Sequence, residues 1–250
     1  MRDFNLFNGI TITVEETGES YHSYRDWALY VANNDPIGDP KQYTNYIEVP
    51  GRDGKIDISE AVSGRPIFLS REINIWLAGI RNITRWDSII SGFRNRVDGK
   101  ICQIIFDTDP GYFWRGRVAI KDFKPKYEFG KFCLSLPEAD PYKYNVETSA
   151  EPWKWDPFNF ETGVISETGA VVITGSGTVT IPHGYMLTTP NILVSNKQSG
   201  TFTVTYDGET YDLQTGSNYI PALMVGGEDD ITLTFTGSAT VQVVYRGGSL

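Results

Sequence analysis

The sequence predicts a mainly β protein in two parts. Three observations lead there. Aromatic residues make up 13% of the chain, and with Val, Ile and Thr they favour pleated, half-buried surface. Apolar residues alternate with polar ones through most segments, and one stretch alone switches to a helical period. Charge density changes near residue 150. Residues 1–150 hold 19 basic and 21 acidic side chains, whereas residues 151–250 hold 3 and 10.

The elements follow in order. In "GITITVEETG" (9–18), Ile10, Ile12 and Val14 alternate with Thr, the pattern of a strand with one buried face. "DWALYVANND" (26–35) reads as a second strand ending in turn chemistry. "IFLSREINIWLAG" (67–79) places Ile67, Leu69, Ile73, Ile75 and Leu77 on one parity, which predicts a long strand with a single buried face. In residues 83–100 the apolar positions Trp86, Ile89, Ile90, Phe93 and Val97 fall on one helical face. Thr84 and Asp87 resemble a capping box there, and Asp98-Gly99 supplies the stop. This is the one helix the pattern predicts. "KICQIIFD" (100–107), "YFWRGRVAIKDF" (112–123) and "GKFCLSLPEADPY" (130–142) read as strands.

Residues 146–163, with Trp153, Trp155, Phe158 and Phe160, read as a docking linker. From 164 onward, short strands with Gly turns predict an antiparallel sandwich. Tyr206-Asp207-Gly208-Glu209 is a hairpin signal, and "GEDDITLTF" before "ATVQVVY" predicts a closing hairpin.

The net charge of −9 argues against nucleic-acid binding, which needs a surplus of Lys and Arg to displace counterions. No stretch approaches the ~20 apolar residues of a membrane span, and the first residues lack the apolar region of a secretory signal. Cys102 and Cys133 sit in apolar runs and read as buried thiols.

Chemistry is sparse. His22 and His183 are the only histidines, and neither has a cysteine near it in sequence. A metal site or Cys–His pair would have to be assembled across the fold. "TGSGT" (174–178) opens a strand where a phosphate loop would open a helix. "DTDPG" (107–111) lacks the carboxylate that would complete a calcium loop. Adjacent acids such as Asp229-Asp230 point to opposite faces of a strand, so they cannot act as paired glycosidase carboxylates. No catalytic, cofactor or metal residue is assigned.

The segment that calls for explanation is "YIEVPGRDGKIDISEAVSGRPIF" (46–68). A compact domain seldom carries a connection of about thirty residues without a purpose. Gly51 and Gly54 allow backbone angles barred to other residues. Arg52, Asp53, Lys55 and Asp57 alternate in sign. The spacing slightly favours an arm that clasps a neighbour over an Ω-like surface loop with no partner.

The order "DWALYV", "PKQYTNYIEVPGRDGKIDISEA", "FLSREINIWL", a helix, "GKICQIIFDTDPGYFWRGRV" and "ADPYKY" resembles the distal tail protein (Dit) family of long-tailed, siphovirus-type bacteriophages or prophages. The resemblance covers roughly residues 1–145. It implies an N-terminal β-sandwich-like domain (1–145) with one α-helix and a long β-hairpin arm at about 40–66, then a galectin-like antiparallel β-sandwich (164–250). It further implies a hexameric ring at the tail tip. One face of that ring would meet the tail tube protein, and the other the tail-tip or baseplate hub protein. Pro50, Gly51, Arg52, Asp53, Gly54, Lys55 and Asp57 become the candidate inter-subunit arm. The competing reading is a binding module whose C-terminal sandwich grips a cell-surface saccharide, with Asn196, Lys197 and Gln198 as polar candidates.

Overall fold

A computed structural model describes residues 8–80, 83–125, 129–150, 169–227 and 229–250. The four linker aromatics, Asn82 of the helix start and the capping side chain of Thr84 lie outside what it describes. The chain divides into two compact units, 1–109 with 113–141, and 110–112 with 142–250.

The first unit runs β1 (Ile10–Val14), β2 (Ser20–His22), α1 (Ser23–Trp27), β3 (Tyr30–Val31), β4 (Tyr46–Glu48), β5 (Lys55–Asp57), β6 (Arg71–Ile80), α2 (Ile83–Val97), β7 (Ile101–Phe106), β8 (Tyr112–Arg117), β9 (Ala119–Pro125) and β10 (Phe129–Ala139). One sheet has the order β2-β1-β7-β8 and the other β3-β6-β10-β9, all antiparallel. The alternating residues of both sheets meet in one core. Ile10, Ile12, Val14 and Ile104 come from one side, and Ile73, Ile75, Leu77, Phe132, Leu134 and Leu136 from the other. Helix α2 packs Trp86, Ile90, Phe93 and Val97 into the same cluster. The Phe93 ring lies 4.7 Å from that of Trp27 and 5.1 Å from that of Phe132. Trp86 occupies the space above Gly130, where a Cβ would come within 2.4 Å of the indole.

Three expectations need correction here. Residues 26–27 end a short helix rather than begin a strand. His22 caps α1 by accepting the Arg25 N–H at 3.1 Å, and Ala28 closes it in the left-handed conformation (φ 53°). Strand pairing therefore starts only at Tyr30. The stretch 112–123 is two strands in different sheets, broken at Val118. Ile67 and Leu69 are 39% and 45% exposed, because the strand's buried face begins only near Ile73. The stretch before it runs outside the core.

The second unit holds β11 (Lys143–Asn145), β12 (Val171–Ile173), β13 (Ser176–Ile181), β14 (Gly184–Thr188), β15 (Asn191–Ser195), β16 (Thr203–Tyr206), β17 (Glu209–Asp212), β18 (Gly216–Tyr219), β19 (Val225–Gly227), β20 (Ile231–Thr236), β21 (Ala239–Val244) and β22 (Gly248–Ser249). Sheets β12-β21-β15-β18 and β13-β20-β16-β17 form a sandwich. Ile192, Val194, Val241 and Val243 of one meet Ile181, Val204, Leu233 and Phe235 of the other. Asp207 and Gly208 both adopt positive φ in the predicted hairpin between β16 and β17. The predicted closing hairpin does not form. β20 pairs with β13 and β16, while β21 pairs with β12 and β15. Each strand's apolar parity is satisfied across the sandwich rather than beside its sequence neighbour. Ser149, at the start of the stretch read as linker, is buried in this unit and bonds to the backbone of Val243 and Tyr245.

Candidate functional site

The polar stretch between β3 and β6 is a two-stranded ribbon that prolongs the second sheet. Backbone bonds carry it outward step by step: Ala32 N–H to Trp76 O, Asn74 N–H to Pro36 O, Gly38 N–H to Glu72 O, Leu69 N–H to Lys41 O and Tyr43 N–H to Ile67 O, all 2.7–2.9 Å. Gly38 permits this close pairing, since a Cβ there would lie 2.6 Å from the Glu72 carbonyl oxygen. Farther out, β4 pairs with β5 in the register Tyr46 to Asp57, Ile47 to Ile56 and Glu48 to Lys55. The side loop 59–66 is held at its base by Ser59. Its Oγ accepts the Asn45 N–H at 2.8 Å, and the Asp57 carboxylate accepts the Ser59 N–H at 2.9 Å. The Ser59 bonds hold the Asp57 carboxyl below its ordinary range.

The tip contains most of the sequence-predicted residues. Pro50, Gly51, Arg52, Asp53 and Gly54 form the loop between the two strands. Gly51 and Gly54 adopt φ of +82° and +78°, and the Arg52 N–H bonds to Val49 O at 3.1 Å. Lys55 reaches across the ribbon to Glu48 at 2.9 Å, an exposed pair that stabilises by at most about 1 kcal/mol. Arg52 and Asp53 are exposed at the tip, where Glu48, Val49, Pro50, Arg52, Gly54 and Lys55 line a shallow hollow.

The alternating charges drew notice in the sequence, but the structure adds an apolar face. Tyr43, Ile47 and Val49 are 42%, 46% and 40% exposed, and Ile67 and Leu69 extend the set along the ribbon. Ile47 lies opposite Ile56, so both project from the same side. The available signal was the period-two run "YTNYIEV", whose odd positions carry these side chains. A two-stranded ribbon is marginal in water unless its apolar face is covered.

At the root of the ribbon sits Arg71, which is buried. Its guanidinium stacks 4.6 Å above the Trp114 ring. Its Nε and one Nη have no hydrogen-bond partner among the described residues. Burial pulls its pKa down, and the carboxylate of Asp39 opposes that pull.

The titratable groups elsewhere act in the fold. His22 has both ring nitrogens engaged: Nδ1 accepts the Arg25 N–H, and Nε2 contacts Asp107 at 3.1 Å. Asp107 also accepts the Gly9 N–H at 2.8 Å, so the carboxylate considered for calcium ties strand ends together. Arg115 forms a forked pair with Glu15 at 2.8 and 3.0 Å, lowering the Glu15 pKa. Burial raises the Cys102 thiol to about 11. Among the described residues no three of His, Cys, Asp and Glu come together to hold a metal. Of the sequence's saccharide candidates, the side chains of Asn196 and Lys197 and the backbone N–H of Gln198 make hydrogen bonds within the sandwich. Asn196 Nδ2 donates to Thr240 Oγ1, Lys197 Nζ to the Leu213 carbonyl, and the Gln198 backbone N–H to the Ser238 carbonyl.

Comparison with solved structures bears on this arrangement of two β units and a projecting ribbon. The crystal structure of SPP1 Dit (gp 19.1) superposes with a TM-score of 0.59, covering 95% of this chain and 98% of that one at 14% identity. The chain has the fold of that phage protein. SPP1 Dit is described as a paradigm of the hub adsorption apparatus in phages infecting Gram-positive bacteria. No protein-family model matches the sequence, and no curated protein matches it.

Proposed function

We propose that this chain is a structural component of a phage or prophage tail, the hub at the tail tip, acting in the virion without catalysis. The observation that carries the reading is the uncovered apolar face of the ribbon at residues 40–66, held out from the core by an unbroken run of backbone bonds. The shared fold with SPP1 Dit supports the tail context. In this reading the ribbon lies on the next copy of the chain. The contact joins different surfaces of identical subunits, so it repeats until the rotation closes into a ring. Six copies of the 28.0 kDa chain would give a ring of about 168 kDa. One ring face would receive the tail tube protein and the other the tail-tip or baseplate hub protein. The second unit would project outward toward host-attachment parts. The chain's net charge of −9 disfavours a role in gripping DNA.

The test is removal of residues 40–66, with a short glycine linker closing the gap. Both cores lie outside that segment, so the shortened protein should keep its thermal transition. It should fail to form the ring-sized species seen by mass photometry for the intact protein at high concentration or with tail partners. Loss of the thermal transition would show that the ribbon belongs to the core, and intact rings would show that assembly uses another surface.

A further inference from the structure

The tip of the ribbon carries a further property, which does not depend on what the ribbon touches. Four bonds of the chain join Asn or Asp to glycine: Asn8-Gly9, Asp53-Gly54, Asp98-Gly99 and Asp207-Gly208. Such bonds rearrange because glycine leaves its backbone nitrogen unshielded by a side chain. That nitrogen attacks the side-chain carbonyl carbon of the preceding residue and closes a five-membered ring. In short peptides Asn-Gly closes faster than Asp-Gly, so the sequence alone points to Asn8. The structure reorders the four.

Three of them are held. Asn8 is exposed, but Gly9 is buried and donates its N–H to the Asp107 carboxylate at 2.8 Å. The Asn8 carbonyl accepts the Val31 N–H at 2.8 Å, so that bond is fixed from both sides. Gly99 donates its N–H to the Val118 carbonyl at 2.8 Å, and the Asp98 carboxylate accepts the Ile120 N–H at 3.1 Å. Both reacting groups are committed there. Asp207 and Gly208 form a tight turn, both at positive φ, closed by the facing pair Tyr206 and Glu209. Swinging the Gly208 nitrogen onto Asp207 Cγ would require that pair to open. Asp53-Gly54 differs on each count. Both residues are exposed, and among the described residues no hydrogen bond engages the Asp53 carboxylate or the Gly54 N–H. They lie in the longer loop 49–54 between β4 and β5, and its turn bond, Arg52 N–H to Val49 O, leaves the reacting pair free to rotate.

We infer that Asp53-Gly54 is a spontaneous covalent modification site, at which the chain converts aspartate into isoaspartate through a succinimide. The Gly54 nitrogen attacks Asp53 Cγ. An N–C bond forms, a C–O bond breaks, and the displaced hydroxyl leaves as water with the amide proton. The cyclic imide then takes up one water at either carbonyl. Opening at the Cγ side restores aspartate. Opening at the α-carbonyl side leaves the main chain running through Cγ, with the α-carboxylate pendant. Water lost equals water gained, and nothing is oxidised or reduced. The product keeps its mass and its charge but carries one more methylene in the backbone of the tip. The ribbon thus bears its most reactive peptide bond at its outermost turn, beside the exposed Arg52.

The test ages the dilute full chain at physiological temperature and neutral pH beside short peptides of each local sequence, which set the unprotected rates. Isoaspartate is counted by enzymatic methylation with an isoaspartyl methyltransferase and located by electron-transfer fragmentation of proteolytic peptides. Asp53 should convert at close to the rate of its peptide. Asp98, Asp207 and Asn8 should lag theirs by about tenfold or more, since a backbone contact must break before attack. Asp53→Glu, whose six-membered imide closes far more slowly, should lose the signal and keep the parent's thermal transition. Asp53→Asn should turn amide to acid at the tip while Asn8 keeps its amide. The inference is overturned if Asp53 stays unconverted once its peptide has reacted. It is equally overturned if Asp98 or Asp207 keeps pace with Asp53, or if the amide of Asp53→Asn outlasts that of Asn8. None of these results depends on whether rings form, which the assembly measurement reads separately.

Discussion

Replacing Ile47 by Lys separates a ribbon that clasps another copy from one that merely decorates the surface. Ile47 stands at mid-ribbon opposite Ile56, 46% exposed and outside both apolar cores. Covering the exposed half of an isoleucine withdraws roughly 80 Å² from water, which at about 25 cal/mol per Å² stabilises a contact by ~2 kcal/mol. A lysine loses that gain and resists desolvation of its ammonium. Each contact should therefore weaken by at least ~2 kcal/mol, about thirtyfold in its equilibrium constant. A closed ring repeats the loss at every interface, so assembly should vanish over the accessible concentration range. Sedimentation velocity on parent and variant, with and without tail partners, reads this directly. Thermal unfolding of the dilute chain should shift by less than ~2 °C, because surface substitutions away from packed groups usually change stability by under about 0.5 kcal/mol. A variant that assembles like the parent refutes the apolar face as the contact. A variant that loses several degrees shows that Ile47 supports its own subunit instead.

Gly130→Ala should destabilise the first unit by about 1–3 kcal/mol, since the added methyl collides with Trp86. An unchanged melting temperature would mean the indole has room to retreat. Glu15→Gln should cost about 1 kcal/mol at neutral pH, a modest figure because Arg115 is 39% exposed and salt-screened. The Arg115 bonds lower the folded-state pKa of Glu15 below its ordinary 4.5. The pair's contribution is therefore present above that value and is lost as pH falls through the lower folded value. Parent and variant stability curves should converge in acid, and a constant gap down to full protonation would contradict the assignment. The buried Cys102 thiol, raised to about 11, should resist alkylation by iodoacetamide at pH 8 until the chain unfolds.

Much of the fold was legible because each strand buries one face. The parity of Ile10, Ile12 and Val14, or of Ile73, Ile75 and Leu77, states which side meets the core, and the 3.6-residue spacing of Trp86, Phe93 and Val97 does so for α2. What parity cannot state is the partner. The strands β20 and β21 are neighbours in sequence and carry compatible patterns, yet they enter opposite sheets, because alternation fixes a face and leaves the sheet unspecified. Helix α1 escaped notice for a different reason. Five residues are too few to show a period, and its start depends on a histidine side chain acting as the cap. In the arm, glycines at 51 and 54 marked the turn through their demand for positive φ. The exposed apolar face was hidden in plain pattern: Ile67 and Leu69 share the parity of Ile73, and only the path of the chain shows that the first two lie beyond the core.

That continuity of parity has a mechanical consequence. The strand that enters the core at Ile73 is the same extended segment that leaves the arm at Ile67, and the backbone bonds run without a gap from Trp76 to Tyr43. A ribbon rooted in this way cannot swing as a flexible tether. Gly38 lets its legs meet closely, and Arg71, stacked on Trp114 and buried, fills the base where the ribbon leaves the sheet. On the proposed reading, the direction of the arm is thus set within the single subunit before any neighbour arrives. Less conformational freedom is then lost on docking, and the angle between successive copies is fixed by the sheet rather than by the contact. A heterologous contact closes into a ring only when that angle is reproducible. The same argument places the sensitive positions of the arm in two classes. Changes at Ile47 or Val49 should weaken each contact, whereas Gly38→Ala, which forces the legs apart at the root, should leave the contact surface intact and yield open or irregular oligomers by negative-stain imaging. Regular closed rings from Gly38→Ala would show that the root does not set the angle.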